Sequence, residues 1–183
     1  MLILASRSPR RREILAAAGI PHLVQPAEVD ETIRDGEDAE AYVKRVARAK
    51  AEAVPAGPGD VVLGADTVVV VDSEILGKPA DEADARRMLR LLAGREHVVM
   101  TGICLRSDGG VVEHAESTRV RFLPLSEREI ETYVASGEPL DKAGAYAIQG
   151  LASKFIDRVE GCYFNVVGLP VAKIYGLLRR VSY

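Results

Sequence analysis

The sequence predicts an α/β protein, a chain in which strands and helices alternate. The apolar run Leu2–Leu4 precedes Ser8-Pro9, which is a typical helix start, so a strand, a loop and a helix open the chain. Residues 37–54 then repeat apolar side chains at helical spacing. Residues 61–71 are largely apolar and β-branched, as in a central strand covered on both faces.

The composition favours one globular domain with a small anionic ligand. The chain has 183 residues, of which 48% are hydrophobic and 28% charged. Its net charge of -3 argues against binding to nucleic acid polymers. Its two cysteines and three histidines match no zinc-ligand spacing. With no signal peptide and no apolar run near the ~18 residues of a membrane span, we expect a cytoplasmic protein without a membrane partner.

The first predicted helix begins with an unusual concentration of positive charge. Arg10, Arg11 and Arg12 follow the cap, at the helix end that already carries the positive pole of the backbone dipole. Together with the hydroxyl groups of Ser6 and Ser8, they favour a site for phosphate oxygens. The alternative is a solvated basic turn.

An acidic loop follows the helix, which Gly19 ends, and a second short strand at residues 21–25. Its carboxylates at Glu28, Asp30 and Glu31 fit two interpretations. They form an ordinary solvated loop, or they hold Mg²⁺ against the phosphates of a ligand.

Lys50 lies in the apolar stripe of the helix predicted over residues 37–54. Most helical lysines lie on the polar face, as Lys44 does in this segment. Lys50 therefore either extends past the stripe to solvent or points towards a negatively charged ligand.

Asp66 interrupts the most apolar run of the chain and is the strongest catalytic candidate. An ionised carboxylate inside a buried strand costs several kcal/mol unless it is paired or binds a metal. The alternative is an aspartate that ends the strand in a β-bulge. The nearby Gly64 would let the backbone bend or a ligand approach closely.

The remaining segments predict further alternation of helices and strands. The turn that carries Lys78 is a weak signal by itself, whereas Gln149 lies in a stretch of small residues and could read a base edge. The predicted elements are helix 81–93, a hairpin of strands 97–105 and 111–123, helix 126–136, strand 154–159 and a last helix from Pro170.

Five motifs occur in the order and spacing of one known family: LASRSPRRREIL, GADTVV, LGKP, DKAGAYAIQG and NVVGLP. The chain thus resembles the Maf family of nucleoside triphosphate pyrophosphatases over nearly its whole length. The resemblance implies a single Maf-like domain over residues 1–183. Its implied fold is α/β, a long curved mixed sheet with flanking helices and two lobes around a cleft, similar to the inosine triphosphate pyrophosphatases.

The resemblance also implies an activity. Family members hydrolyse a nucleoside triphosphate between the α- and β-phosphates with a divalent metal, Mg²⁺ or Mn²⁺, and a homodimer is a family-level expectation. The form DKAGAY-IQG looks like the branch that acts on dTTP and UTP. Residues 151–154 depart from the family's usual pattern, which bears on selectivity and not on the reaction.

The family's functional positions fall on nine residues of this chain. Asp66 matches the proton acceptor and, with Glu31, is expected to hold the metal. Arg10, Thr67 and Gln149 match the substrate-selecting positions. The further polar positions that are expected to bind the substrate are Ser8, Arg11, Lys50 and Lys78.

Two other functions compete with hydrolysis of dTTP and UTP. One is a nucleotide-binding regulator of cell division without turnover, which would not require a buried aspartate. The other is a house-cleaning pyrophosphatase for inosine or other damaged purine nucleotides. Pyrophosphate release from a panel of nucleotides would separate the three.

Overall fold

The computed structural model describes residues 1–181 and confirms the mixed α/β class. The strands are β1 (Leu2–Leu4), β2 (His22–Val24), β3 (Val61–Val71), β4 (Glu74–Leu76), β5 (Glu96–Ser107), β6 (Gly110–Phe122) and β7 (Ile156–Glu160). The α-helices are α1 (Pro9–Ala17), α2 (Ala39–Ala53), α3 (Glu82–Leu92), α4 (Glu127–Ala135), α5 (Tyr163–Val167) and α6 (Val171–Leu178). Short 3₁₀ turns occur at Glu138–Asp141, Ala143–Ala145 and Leu151–Phe155. None of the helices within residues 1–181 has the length and apolarity that a membrane span requires.

The strands form one mixed sheet in the order β2-β1-β3-β5-β6-β7, with β4 paired to β3. Strand β1 is parallel to both β2 and β3, whereas β4 runs antiparallel to β3 and β7 antiparallel to β6. Asp66 lies inside β3, which continues to Val71. The alternative in which Asp66 ends a strand is therefore wrong.

The chain divides into two compact units, which we describe separately. Within the described residues, the first unit comprises residues 1–66, 101–116 and 168–181, and the second comprises residues 67–100 and 117–167. A core cluster of the first unit packs α2 against strand residues that include Ile3, Val62 and Cys104. The core of the second unit gathers side chains from α3 and α4 around Val69 and Phe122.

Two glycines of the first unit let helix α2 lie directly on the strands. A Cβ atom at Gly64 would stand 2.0 Å from the carbonyl oxygen of Ala47, and one at Gly102 would stand 2.1 Å from that of Val43. Side chains at either position would thus overlap the helix backbone. The sequence predicts that Gly64 lets the strand bend or lets a ligand approach closely. In the structure, the group that approaches Gly64 closely is the backbone of α2.

Several local predictions are confirmed and others need correction. Ser8 caps α1, and Ser126 forms the predicted capping box of α4. The strand predicted over residues 154–159 begins only at Ile156, because residues 151–155 form a 3₁₀ turn. Strand β4 and helix α5 were not predicted, since both are too short to show a period in the sequence.

Helix α5 is held in the second unit by the asparagine of the NVVGLP motif. The fully buried Asn165 donates from Nδ2 to the carbonyl oxygen of Val99 and to Oγ1 of Thr118, at 3.0 Å each. The same Thr118 oxygen accepts from the backbone N–H of Cys162 at 3.1 Å. A short helix is therefore fixed by side-chain hydrogen bonds to β5 and β6.

His97 is buried in the core of the second unit, where only 2% of its surface is exposed. Its ring lies edge-on to those of Phe122 and Tyr146, and its Nε2 is 2.9 Å from the hydroxyl of Tyr146. Within residues 1–181, its Nδ1 has no hydrogen-bond partner. Burial lowers the pKa of His97 from 6.5 to about 4.

We expect this histidine to make stability depend on pH. The unfolded chain binds a proton on His97 more readily than the folded protein does. The contribution of neutral His97 to stability is therefore complete above the unfolded pKa of 6.5, and it is lost as the pH falls towards about 4. The full loss is on the order of 3 kcal/mol. Urea unfolding at several pH values should show this fall, and His97→Gln should remove it. An equal fall in that variant would assign the pH dependence to other groups.

Candidate active site

The centre of the candidate site is a lysine ammonium between two carboxylates, all in the first unit. Nζ of Lys50 lies 2.7 Å from Oδ1 of Asp66 and 2.7 Å from Oε1 of Glu31. The residue is only 8% exposed, because α2 lies against β3 at Gly64 and buries that face of the helix. Lys50 thus turns inward, and the interpretation in which it extends to solvent is wrong.

Asp66 is only 7% exposed in the middle of β3. A buried carboxylate requires a compensating charge, and the ammonium of Lys50 provides it through a hydrogen bond. An aspartate inside an apolar strand requires a charged partner or a metal, and in this structure the partner is Lys50.

Glu31 reaches the site from the acidic loop, whose backbone is anchored on α2. The hydroxyl of Tyr42 donates to the carbonyl oxygen of Glu31 at 2.9 Å, and the guanidinium of Arg45 donates to that of Thr32 at 2.9 Å. Burial, together with the charges of Asp66 and Glu31, raises the pKa of Tyr42, so its hydroxyl remains a donor. The side chain of Glu31 is 48% exposed, so this side of the carboxylate pair faces solvent.

The other two acidic side chains of the loop have different partners. Glu28 pairs with Arg7 at the surface. Asp30 accepts a hydrogen bond from the backbone N–H of Thr32 at 2.9 Å. Of the three carboxylates considered from the sequence, Glu31 is the one that contacts Lys50.

Arg11 is a buried anchor, not part of a solvated turn. Its Nε donates to the carbonyl oxygen of Gly168 at 2.9 Å, and its Nη1 donates to that of Ala65 at 2.8 Å and to Oγ of Ser6 at 3.2 Å. Burial lowers the pKa of Arg11 from its ordinary value, although an arginine remains charged. The helix start is therefore fixed to the residue that precedes Asp66.

The neighbours of Arg11 on α1 are more accessible. Arg10 and Ser8 are partly buried, and Arg12 is exposed. Ser8 accepts the backbone N–H of Arg11 at 3.4 Å as the helix cap. The alternative of a solvated basic turn is therefore wrong for Arg11, and of the three arginines only Arg12 is exposed to solvent as that alternative requires.

Three predicted site residues belong to the second unit. Thr67 follows Asp66 in β3 and is partly buried, whereas Lys78 and Gln149 are exposed on loops. The loop of Lys78 is fixed to the small-residue stretch, because Gly144 donates from its backbone N–H to the carbonyl oxygen of Gly77 at 3.0 Å. The motifs LGKP and DKAGAYAIQG are therefore neighbours in this unit.

Two residues that the sequence did not single out hold the turn of Gln149. The hydroxyl of Tyr133 donates to Oε1 of Glu138 at 2.8 Å and accepts from the backbone N–H of Ala147 at 3.2 Å. Oε2 of Glu138 accepts from the backbone N–H of Leu151 at 3.1 Å. Both residues look like ordinary members of a helix and a turn, so no sequence signal could have found them.

The donor set around Lys50 fits a divalent metal that is shared with a ligand. Within residues 1–181, no group of three or more His, Cys, Asp or Glu side chains is arranged to hold a metal ion. Two carboxylates, Glu31 and Asp66, nevertheless converge on one cation. Mg²⁺ commonly binds through one or two carboxylates and completes its shell with phosphate oxygens and water.

The fold and the site define a mixed α/β protein with a buried carboxylate–lysine pair next to a basic helix start. The chain belongs to the Maf family, whose sequence model, described as Maf-like protein, matches residues 1–181. It is 55% identical over 187 residues to the dTTP/UTP pyrophosphatase of Anaeromyxobacter sp. (strain Fw109-5), covering 100% of this chain and 90% of that one. It is 52% identical over 182 residues to the dTTP/UTP pyrophosphatase of Koribacter versatilis, covering 99% of this chain and 94% of that one.

A solved structure, the Ham1 protein of Staphylococcus aureus, shows a looser likeness. Its TM-score is 0.47 at 15% identity, over 66% of this chain and 71% of that one. So loose a likeness bears on neither fold nor function.

Proposed function

We propose that this protein is a nucleoside triphosphate pyrophosphatase that converts dTTP, UTP and related or modified pyrimidine nucleotides to the monophosphate and pyrophosphate. One observation carries the proposal: a buried aspartate, Asp66, pairs with Lys50 beside Glu31 in a Maf-family chain. Relatives that match it at 52 to 55% identity over nearly their whole length bear the name of this activity. The protein is then a cytoplasmic hydrolase of nucleotide metabolism, with residues 1–183 as a single domain.

The proposed reaction is an attack of water on the α-phosphorus. A bond forms between the water oxygen and the phosphorus, and the bond to the oxygen that bridges the α- and β-phosphates breaks. The electron pair of that bond leaves with pyrophosphate, and Asp66 accepts the proton of the water. Asp66 suits this role because its position inside β3 fixes the carboxylate and burial keeps competing water away.

Cationic and hydroxyl side chains bind the triphosphate in this proposal. Arg10, Lys50 and Lys78 neutralise its charge, and Ser8 stands at the start of α1, where backbone N–H groups favour anions. Arg11 adds positive charge while its hydrogen bonds to Ala65 and Ser6 keep the helix start in place.

Glu31 and Asp66 would hold the divalent metal, Mg²⁺ or Mn²⁺, together with phosphate oxygens. Both are hard oxygen donors that already converge on a cation. When bound, the metal supplies positive charge that stabilises the phosphoryl oxygens as the anhydride bond breaks.

Gln149, Thr67 and Arg10 select the substrate in this proposal. A side-chain amide offers a donor and an acceptor, which match the imide edge of thymine or uracil. A base that leaves such groups unpaired, once the bound nucleotide has buried them, is strongly rejected. The hydrogen bonds that Tyr133 and Glu138 accept from backbone N–H groups support this role, because they fix the turn that carries Gln149. A homodimer remains a family-level prediction.

Pyrophosphate release from dTTP, UTP, CTP, ATP, GTP and ITP, with Mg²⁺ or Mn²⁺, tests the proposal. We expect kcat/KM for dTTP and UTP to exceed that for ATP and GTP at least ~10-fold. The variant Gln149→Leu should reduce this preference, whereas Gln25→Leu, at an exposed position in the first unit, should not. Equal turnover of all the nucleotides would refute the selectivity. Preference for ITP would favour the damaged-purine enzyme, and binding without turnover would favour the regulator.

A further inference from the structure

Lys50 lies between the two carboxylates that are proposed to hold the metal. Its ammonium bridges one oxygen of Glu31 and one of Asp66, at 2.7 Å from each. We infer that the Lys50 ammonium and the divalent metal are alternative occupants of this carboxylate pair, so that metal binding releases Lys50 for the triphosphate. The inference rests on the proposed function, because it takes the metal and the substrate from there.

Charge explains why the two cations exclude each other. The two carboxylates carry a charge of about -2, of which the ammonium neutralises half. A divalent ion held by the same two carboxylates would neutralise all of it, and the electrostatic reason for the ammonium to remain would be lost. Asp66 is 7% exposed and Lys50 8%, so solvent screens little of the repulsion between the two cations on the Asp66 side of the pair.

The chemistry of the lysine side chain suits an exchange of this kind. Its ammonium is a point charge on a flexible four-carbon stem, so the charge can move while the stem stays packed. Arg11 shows the contrast, since its guanidinium is fixed by two backbone carbonyl oxygens and one hydroxyl. The half-exposed side chain of Glu31 gives an ion a route to the pair from solvent.

The exchange has a consequence for binding. Without nucleotide, the ammonium competes with the metal and weakens its binding. A triphosphate that draws the ammonium away strengthens metal binding, and the metal strengthens triphosphate binding by the same factor. Lys50 thus couples the two ligands.

The direct test measures Mn²⁺ binding without nucleotide, from the electron paramagnetic resonance signal of free Mn²⁺. We expect Lys50→Met to bind Mn²⁺ about 10-fold or more tightly than the unmodified protein, because the competitor is gone. The control is Lys44→Met, which removes the same charge from a partly buried position of α2 that pairs with Glu40, and which should change the affinity less than about 2-fold. Equal or weaker binding by Lys50→Met, or no measurable binding by any of the three proteins, would overturn the inference.

A second measurement uses the unmodified protein, in case Lys50→Met does not fold. Reductive methylation with ¹³C-formaldehyde labels accessible lysine amines, and we expect Mg²⁺ to increase the labelling of Lys50 but not of Lys44. Unchanged labelling of Lys50 would contradict the exchange. Neither measurement involves turnover, so the two failures can be told apart. If the enzyme is active but Mn²⁺ binding and Lys50 labelling both stay unchanged, the proposed function holds and the coupling through Lys50 is wrong. If both measurements change as expected but the protein releases no pyrophosphate, the coupling holds and the proposed function is wrong.

Discussion

The variant Asp66→Asn is expected to fold, to bind nucleotide and to lose at least ~10²-fold in kcat. An amide has nearly the shape of a carboxylate and can still accept the hydrogen bond from Lys50, which lies 2.7 Å from Oδ1. It cannot accept a proton from the attacking water. The effect should therefore fall on the chemical step and leave the packing of β3 intact.

Pyrophosphate release and the melting temperature, measured on the same preparation, check this expectation. Asp72→Asn is a suitable control, because Asp72 lies in the turn after β3 and pairs with Arg95 at the surface. That control should retain activity. Full activity of Asp66→Asn with unchanged stability would remove Asp66 from the catalytic role and leave it as the buried partner of Lys50.

The variant Gly64→Ala should be strongly destabilised and should lose activity as well. Its new Cβ atom would stand 2.0 Å from the carbonyl oxygen of Ala47 and 2.8 Å from the backbone nitrogen of Ala51. A helix backbone cannot yield as a flexible side chain does, so α2 must shift away from β3. We expect a loss of about 3 kcal/mol in the free energy of unfolding. The shift would also move Lys50 away from Asp66.

Urea unfolding with Gly176→Ala as the matched control tests this expectation. Gly176 lies in helix α6, and a Cβ atom there would meet nothing within 4 Å. Its replacement should stabilise the protein by about 0.5 to 1 kcal/mol, as alanine normally does within a helix. A change of less than about 1 kcal/mol in Gly64→Ala would show that α2 and β3 tolerate separation.

The separate parts of the candidate site could be predicted from the sequence, but their pairing could not. A carboxylate in an apolar strand and a lysine in an apolar stripe both break a local pattern, so Asp66 and Lys50 each stood out. Their contact depends on how α2 lies along β3, which Gly64 and Gly102 determine through close approach. The spacing of apolar residues in the sequence does not show how α2 is positioned along β3. The sequence therefore predicts that Lys50 reaches a ligand or solvent, and not that it pairs with Asp66.

In the fold as well, features set by local sequence could be predicted, whereas features set by tertiary contacts could not. Long periodic elements and capped helix starts could be predicted, including α2 and the box at Ser126. Elements that depend on contacts between distant residues could not. Helix α5 depends on bonds from Asn165 to Val99 and Thr118, and the turn of Gln149 depends on Glu138.

The hydrogen bond from Arg11 to Gly168 has a consequence for how the chain assembles during synthesis. It joins residues 157 positions apart, so the first loop of the protein cannot be completed until residue 168 has been made. All of the second unit, residues 67–100 and 117–167, has been synthesised by then. Domains usually fold in the order of their synthesis. In this chain, the unit that begins first is finished last. Until then, the arginine-rich helix start has its partners at Ser6 and Ala65 but lacks the one at Gly168.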